Sequence, residues 1–103
     1  MQTKLALKVD DLDNVATVFD NDVAAGTEVT VRDKKGNTVS ITVRSDIPYG
    51  HKIAVAEIPA GGHIIKYGES IGQADVDIHT GDYVHVHNMK ALRGRGDLQG
   101  GES

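Results

Sequence analysis

The residues best suited to chemistry are two histidines in the segment YVHVHN, residues 83–88. Alternation of polar and apolar residues predicts a strand there, with the two valines facing the core. His85 and His87 then share the opposite face with Tyr83, about 6.5–7 Å apart along the strand. At that spacing two imidazoles can ligate one metal, or one can bind metal while the other carries a proton. The alternative is an exposed polar face without a task.

Three histidines and two lysines are further candidates earlier in the chain. His51 and Lys52 follow a Pro-Tyr-Gly turn, where a proton carrier and a carboxylate anchor would be accessible, although a solvated loop explains them as well. Lys66 ends an apolar stretch just before a glycine turn, and it either reaches an anion or lays its stem along apolar surface. His63 and His79 fall at turn positions and are expected at the surface.

Short β-strands must position these side chains. No segment shows a sustained helical period, and at most one or two single-turn helices are expected. A β-hairpin is predicted around the turn DKKGN, since Gly and Asn accept positive φ. The fold class is therefore all-β, with strands expected at residues 3–9, 15–19, 28–32, 38–44, 52–56, 63–66, 71–76 and 83–87.

One turn pattern recurs along the chain. It reads acidic, β-branched, two variable residues, Gly, two variable residues, β-branched, and copies begin at Asp22, Glu57 and Asp77. An apolar anchor followed by a glycine in the left-handed region predicts a tight turn into a new strand. The uneven spacing of the copies favours one turn reused in a compact β fold over a solenoid.

Composition limits the classes of function. The chain has 103 residues, a net charge of −4 and no cysteine, which argues against nucleic-acid binding and against disulfide or thiolate chemistry. No signal peptide or membrane helix is evident, so a cytoplasmic protein is expected. One domain is expected over residues 1–90, and the glycine-rich, polar residues 91–103 are expected to form a flexible tail unless a partner captures them.

Several motifs together resemble a known family. GHKIA at residues 50–54, IIKYGESIG at 64–72 and DIHTGDYVHVHN at 77–88 occur in the order found in the SAF domain of altronate/galactarate dehydratases. Residues 13–16, DNVA, resemble that family's N-terminal signature. The resemblance covers about residues 3–89, and it implies a β-clip, a compact β structure with folded-back hairpins.

The resemblance also implies a function. In that family the SAF domain is either the N-terminal part of a long dehydratase or a small subunit beside a large one. The chain is therefore expected to be a subunit of a carbon-oxygen lyase, inactive without the large dehydratase subunit. The reaction removes water from an aldonic or aldaric acid, such as altronate or galactarate, to give a 2-keto-3-deoxy acid.

The site residues and the cofactor are likewise implied by the resemblance. Proton carriers or other catalytic groups would be His51, His85 and His87, and the groups that contact substrate would be Lys52, Lys66 and Asn88. A divalent metal, iron(II) or manganese(II), is expected on His85 and His87 and is expected to be shared with the partner subunit.

Three alternatives stay open at this point. The small subunit of sulfolactate sulfo-lyase carries the same glycine-histidine-lysine and histidine-x-histidine-asparagine signatures and eliminates sulfite instead of water. A standalone module that binds a sugar acid or another anion is a second possibility. A purely structural assembly surface with incidental histidines, including a homo-oligomer, is the third.

Overall fold

Nine short strands build the protein. A computed structural model describes residues 4–91, and within this range the chain forms strands and turns without a helix, which confirms the all-β class. The strands are β1 Lys4–Leu7, β2 Val15–Val18, β3 Glu28–Arg32, β4 Thr38–Thr42, β5 Lys52–Ala54, β6 His63–Lys66, β7 Glu69–Ala74, β8 Tyr83–Val84 and β9 Met89–Ala91. Of the expected tail, only Ala91 falls in the described residues, and it belongs to the last strand.

The strands form two sheets. A six-stranded sheet has the order β4-β3-β1-β2-β5-β8, and a three-stranded sheet has the order β6-β7-β9. The predicted hairpin is confirmed as β3 and β4, whose turn contains Gly36 at φ 89°. All pairings are antiparallel except β1 with β3. The order places β5 between β2 and β8, so a side chain on β5 has neighbours on both sides.

Two small aliphatic cores hold these sheets together. One surrounds Val29 and Ile53, and the other surrounds Ile64, Ile78 and Val84, all of them almost fully buried. Burying one such side chain contributes about 1.5–3 kcal/mol, so a few β-branched residues suffice for each core. The two cores adjoin along β2 and β5, because consecutive residues there face opposite sides of the sheet.

The repeated turn is confirmed, and the structure shows one more copy at Asp46–Ile53 that the sequence analysis did not include. In chain order the four copies begin at Asp22, Asp46, Glu57 and Asp77. The copies work in pairs. Val23 of the first bridges Ile47 of the second, and Ile58 of the third bridges Ile78 of the fourth. In every copy the glycine has a φ between 82° and 94°, a region that suits glycine because it lacks a Cβ.

The strand predicted at residues 83–87 is wrong beyond Val84. Residues 85–88 form a turn, and Val86, expected in the core, is 71% exposed. The reason is the hydrogen bonding of this segment: the backbone N–H groups of Asn88 and Met89 both donate to the carbonyl of His85. The chain reverses at that point and continues into β9, a strand that the sequence did not predict.

A clasp formed by Asp13 and Asn14 joins the two sheets. The Asn14 side chain accepts the N–H of Ile65 at 2.7 Å and donates to the carbonyl of His63 at 2.9 Å. The carboxylate of Asp13 accepts the N–H of Gly68 at 2.8 Å. Partial burial of Asp13 opposes its ionisation. The hydrogen bonds that its carboxylate accepts from backbone groups, that of Gly68 first among them, nevertheless lower the pKa of Asp13 below its ordinary value. The clasp thereby fixes the β6–β7 hairpin, and with it Lys66, against the larger sheet.

Candidate functional site

Four rings, those of His51, Tyr83, His85 and His87, lie against one another at the edge of the larger sheet. The centroids of His51 and His85 are 4.9 Å apart, and those of Tyr83 and His85 are 5.7 Å apart with the planes nearly parallel at 9°. The ring of His87 is tilted by 53° against that of Tyr83, with the two centroids 5.1 Å apart. Residues 36 positions apart in the chain thus form one aromatic cluster, which we call the imidazole cluster.

The position of His51 follows from its turn and from the strand it begins. Gly50, at φ 82°, directs the chain into β5, and the N–H of His51 donates to the carbonyl of Pro48. Because β5 pairs with β8, Ile53 stands opposite Tyr83. The phenol oxygen of Tyr83 then reaches the Nδ1 atom of His51 at 2.9 Å, a contact that closes the cluster.

Asn88 shapes the turn that carries His85 and His87. It is buried, its Oδ1 accepts the N–H of His85 at 3.0 Å, and its Nδ2 donates to the carbonyl of Tyr83 at 2.8 Å. An Asn side chain that bonds nearby backbone groups favours a turn over a continued strand. Both ends of the amide are engaged with backbone in this structure, so Asn88 positions the cluster. Its contact with substrate stays a prediction.

Two lysines extend the cluster with positive charge. Lys52 follows His51, and partial burial together with the nearby charge of Lys66 lowers the pKa of Lys52 below its ordinary value. Lys66 ends β6, where its ammonium also lies 4.7 Å from the ring centroid of Tyr67. Within residues 4–91, no carboxylate lies at ion-pair distance from either lysine. An anionic ligand would therefore meet uncompensated positive charge here.

Neighbouring charged groups also affect the imidazole of His85. Partial burial, and then the charges of His51, Lys52 and His87, lower the pKa of its imidazole below the ordinary value. His85 is therefore neutral at neutral pH, with one ring nitrogen able to accept a proton. A neutral imidazole beside cationic lysines is an arrangement suited to taking a proton from an anionic substrate.

A divalent metal was expected on His85 and His87. The side chains near these two histidines show whether this chain could bind such an ion by itself. Over the range 4–91, no group of three or more His, Asp or Glu side chains is placed to hold one ion. The ring of Tyr83 contacts both imidazoles. Metal sites in proteins take three or four side-chain ligands, so these histidines do not form a complete site by themselves.

The structure brings three of the six predicted site residues, His51, His85 and His87, into one cluster. Lys52 follows His51 in the chain, Lys66 lies near enough for its charge to lower the pKa of Lys52, and Asn88 bonds the backbone of the turn that carries His85. His63 and His79 lie elsewhere, as expected: the ring of His63 bonds the hydroxyl of Ser70, and that of His79 pairs with Glu57. Sequence reasoning assigned no role to Tyr83, which touches all three histidines of the cluster. Its place in the alternating segment was the available signal.

Comparison with known proteins identifies the fold family. Residues 4–92 match the family described as altronate/galactarate dehydratase SAF domain. This chain belongs to that family. The chain is 43% identical over 84 residues to the altronate dehydratase of Escherichia coli (strain K12), which covers 82% of this chain and 16% of that protein. The family assignment made from the ordered motifs is confirmed.

Two further relatives differ in how much of them the SAF domain covers. The galactarate dehydratase (L-threo-forming) of Escherichia coli (strain K12) is 42% identical over 83 residues, which is 80% of this chain but 14% of that enzyme. The (2R)-sulfolactate sulfo-lyase subunit alpha of Chromohalobacter salexigens is 37% identical over 83 residues, 79% of this chain and 87% of that subunit. The chain therefore spans a small part of the dehydratases and most of the sulfo-lyase subunit.

The described range contains no helix of the length and apolar character needed to cross a lipid bilayer.

Proposed function

We propose that this SAF domain is one component of a hydro-lyase that removes water from an aldonic or aldaric acid such as altronate or galactarate. The observation that carries the proposal is the imidazole cluster with Lys52 beside it and Lys66 near Lys52, because no carboxylate within residues 4–91 lies at ion-pair distance from either lysine. Such a site suits an anionic substrate whose reaction begins with proton transfer. The kinship with dehydratases supports the choice of water as leaving group.

The proposed chemistry uses groups of this chain at defined points. Lys52 and Lys66 hold the substrate carboxylate and favour the negative charge that builds up next to it. His85, neutral at neutral pH, accepts the proton from the carbon adjacent to the carboxylate. The electron pair of that C–H bond forms the carbon–carbon double bond as hydroxide leaves the next carbon with a proton. The resulting enol rearranges to the 2-keto-3-deoxy acid.

The rest of the site is proposed to come from a large dehydratase body. The chain spans about a sixth of the altronate dehydratase it matches, so most of that enzyme has no counterpart in residues 4–91. We propose that the divalent metal, iron(II) or manganese(II), takes most of its ligands from the large subunit, and that His85 and His87 of this chain lie beside it. When bound, such an ion stabilises negative charge on substrate oxygens.

A sulfo-lyase is the second candidate, favoured by the 87% coverage of the alpha subunit from Chromohalobacter salexigens. Sulfite would leave in place of hydroxide, and the groups that bind the carboxylate and accept the proton would be the same. The two candidates differ only at the leaving group. A standalone anion-binding module would use the same lysines without any elimination.

Reconstitution tests these alternatives. The full chain is mixed with a candidate large subunit under anaerobic conditions, with iron(II) or manganese(II), and assayed on altronate, galactarate and (2R)-sulfolactate. Activity that depends on the chain, with a sugar acid preferred, supports the hydro-lyase. Preference for sulfolactate supports the sulfo-lyase. Tight sugar-acid binding by the chain alone, without turnover in any mixture, supports the binding module and overturns the proposal.

A matched pair of variants links activity to the cluster. Lys52→Met with Lys66→Met removes the proposed carboxylate contacts, and KM is expected to rise about 10- to 100-fold, the equivalent of one charged hydrogen bond. Lys35→Met is the control, because Lys35 pairs with Asp11 on another part of the surface. An unchanged KM in the double variant would contradict the assigned role of the lysines.

A further inference from the structure

Tyr83 has no place in the proposed chemistry, yet its ring contacts all three histidines of the imidazole cluster. Its hydroxyl lies 2.9 Å from the Nδ1 atom of His51, its ring stacks on that of His85, and its centroid lies 5.1 Å from that of His87. Tyr83 is half-buried, and an exposed tyrosine with no task would not be expected to satisfy its hydroxyl on an imidazole.

The residue is itself held firmly. Its backbone lies on β8 opposite Ile53, a fully buried core residue. Its carbonyl accepts the Nδ2 of Asn88, which also fixes the turn carrying His85. The phenol is therefore anchored from the core side, whereas His51 follows a turn and gains its orientation from contacts with neighbouring rings.

The direction of the hydrogen bond follows from the chemistry of its two partners. A neutral imidazole offers one donor and one acceptor nitrogen, and a phenol can donate or accept. Because an imidazole nitrogen is a stronger base than a phenol oxygen, the favoured bond at this 2.9 Å contact has the phenol giving its hydrogen to the ring. Nδ1 then accepts from Tyr83, and the hydrogen of the ring resides on Nε2, which points away from the phenol.

We infer that Tyr83 is the positioning residue of this site: its hydroxyl orients His51 and keeps Nδ1 as the acceptor, so that Nε2–H is presented to an anionic ligand. The inference rests on the proposed function for its effect on turnover, but the hydrogen bond itself can be measured on the isolated chain. A ring nitrogen engaged in this way keeps both the tautomer and the rotamer of a functional histidine.

The test compares Tyr83→Phe with Tyr49→Phe in the full chain. Tyr49 is exposed and packs on Phe19, not on a histidine, so it is a matched control for loss of a phenol hydroxyl. Nitrogen-15 NMR of the histidine side chains is expected to show Nδ1 of His51 as a hydrogen-bonded acceptor in the parent and in Tyr49→Phe. In Tyr83→Phe its resonance should move toward that of an unbonded nitrogen while the backbone spectrum stays folded.

Turnover gives the second readout. In the reconstituted enzyme, Tyr83→Phe is expected to lower kcat about 10- to 100-fold, with KM changed much less, because a misoriented histidine affects reaction more than binding. An unchanged resonance of His51 in Tyr83→Phe overturns the inference whatever the activity. A moved resonance with unchanged kcat overturns the positioning role. If the parent mixture is inactive on every substrate, the proposed function fails, while the NMR result still decides the hydrogen bond.

Discussion

Two turns of this molecule follow the same sequence pattern and have very different surroundings. Residues 46–53 read DIPYGHKI, and residues 57–64 read EIPAGGHI. Both bury their first isoleucine, both place glycine at a φ near 80–90°, and both lead into a strand. The first delivers His51 to the imidazole cluster, whereas the second delivers His63 to an exposed contact with Ser70.

The difference lies in the strand that follows each turn. β5 runs between β2 and β8, so His51 and Lys52 meet side chains of a neighbouring strand. β6 is an edge strand of the small sheet and pairs with β7 alone. The turn supplies a backbone frame, and the neighbouring segment of residues 83–88 decides whether a histidine on that frame joins a site.

The largest expected effect comes from exchanging the two histidines for alanine. In the reconstituted lyase, His51→Ala should reduce kcat/KM by at least about 100-fold, as removal of a group that takes part in proton transfer or substrate contact does. His63→Ala, the change at a histidine one position later on the second turn, should leave kcat/KM within about twofold, because its exposed ring bonds Ser70 and does not belong to the imidazole cluster. Equal losses in the two variants would show that the turns, and not their neighbours, determine function.

An intermediate effect is expected on stability. Gly61→Ala forces alanine into the left-handed region but meets open space, so urea unfolding should show a loss of about 1–2 kcal/mol. Gly50→Ala has the same backbone and the same open space, and a similar loss is expected.

The fourth turn provides the contrast. A Cβ on Gly81 would lie 2.5 Å from the carbonyl oxygen of Thr42, at a φ of 94°. Gly81→Ala should therefore cost about 2–4 kcal/mol, since the clash adds to the backbone strain. An equal loss in the free energy of unfolding for Gly81→Ala and Gly61→Ala would mean that the fourth turn moves away from β4 without a loss of stability.

The smallest effect concerns the charge environment of His85. Its pKa lies below the ordinary value, so the unfolded chain binds a proton that the folded chain refuses as pH falls from the ordinary histidine range to the folded pKa. Stability therefore decreases in that window. Lys52→Met should raise the pKa of His85 and weaken this dependence. Histidine NMR titration measures the shift, and Lys35→Met, a change on another part of the surface, is the control that should leave the pKa of His85 in place. If the pKa of His85 is the same in Lys52→Met and in the parent, the charge of Lys52 does not affect His85.

Local patterns were enough to predict the strands with clear alternation. The β3–β4 hairpin follows directly from residue types, because both of its strands keep the period of two and the turn between them contains Gly36. Residues 85–88 broke the same rule. Their alternation is that of a strand, but the amide of Asn88 bonds the backbone on both sides and turns the chain.

The sequence predicted which residues belong to the site, but it did not predict how they are arranged in space. His51, Lys52 and the histidine pair could be selected by type and motif. Their meeting depends on the pairing of β5 with β8, which links residues about 30 positions apart and leaves no local signal. The contact of Tyr83 with His51 also follows from that pairing, whereas the bonds of Asn88 to the backbone belong to the local turn at residues 85–88.

The clasp of Asp13 and Asn14 has a consequence for how the site comes into being. It joins residues separated by 51 and 55 positions, and it holds the hairpin that carries Lys66. Contacts of such long range carry the entropic cost of closing a large loop, so they depend on the folded arrangement of both sheets. The position of Lys66 beside the rest of the site therefore depends on the tertiary structure, and opening of the clasp would release it. A bound anion, which recognises only the completed site, would stabilise the entire domain and not merely the loop that it touches.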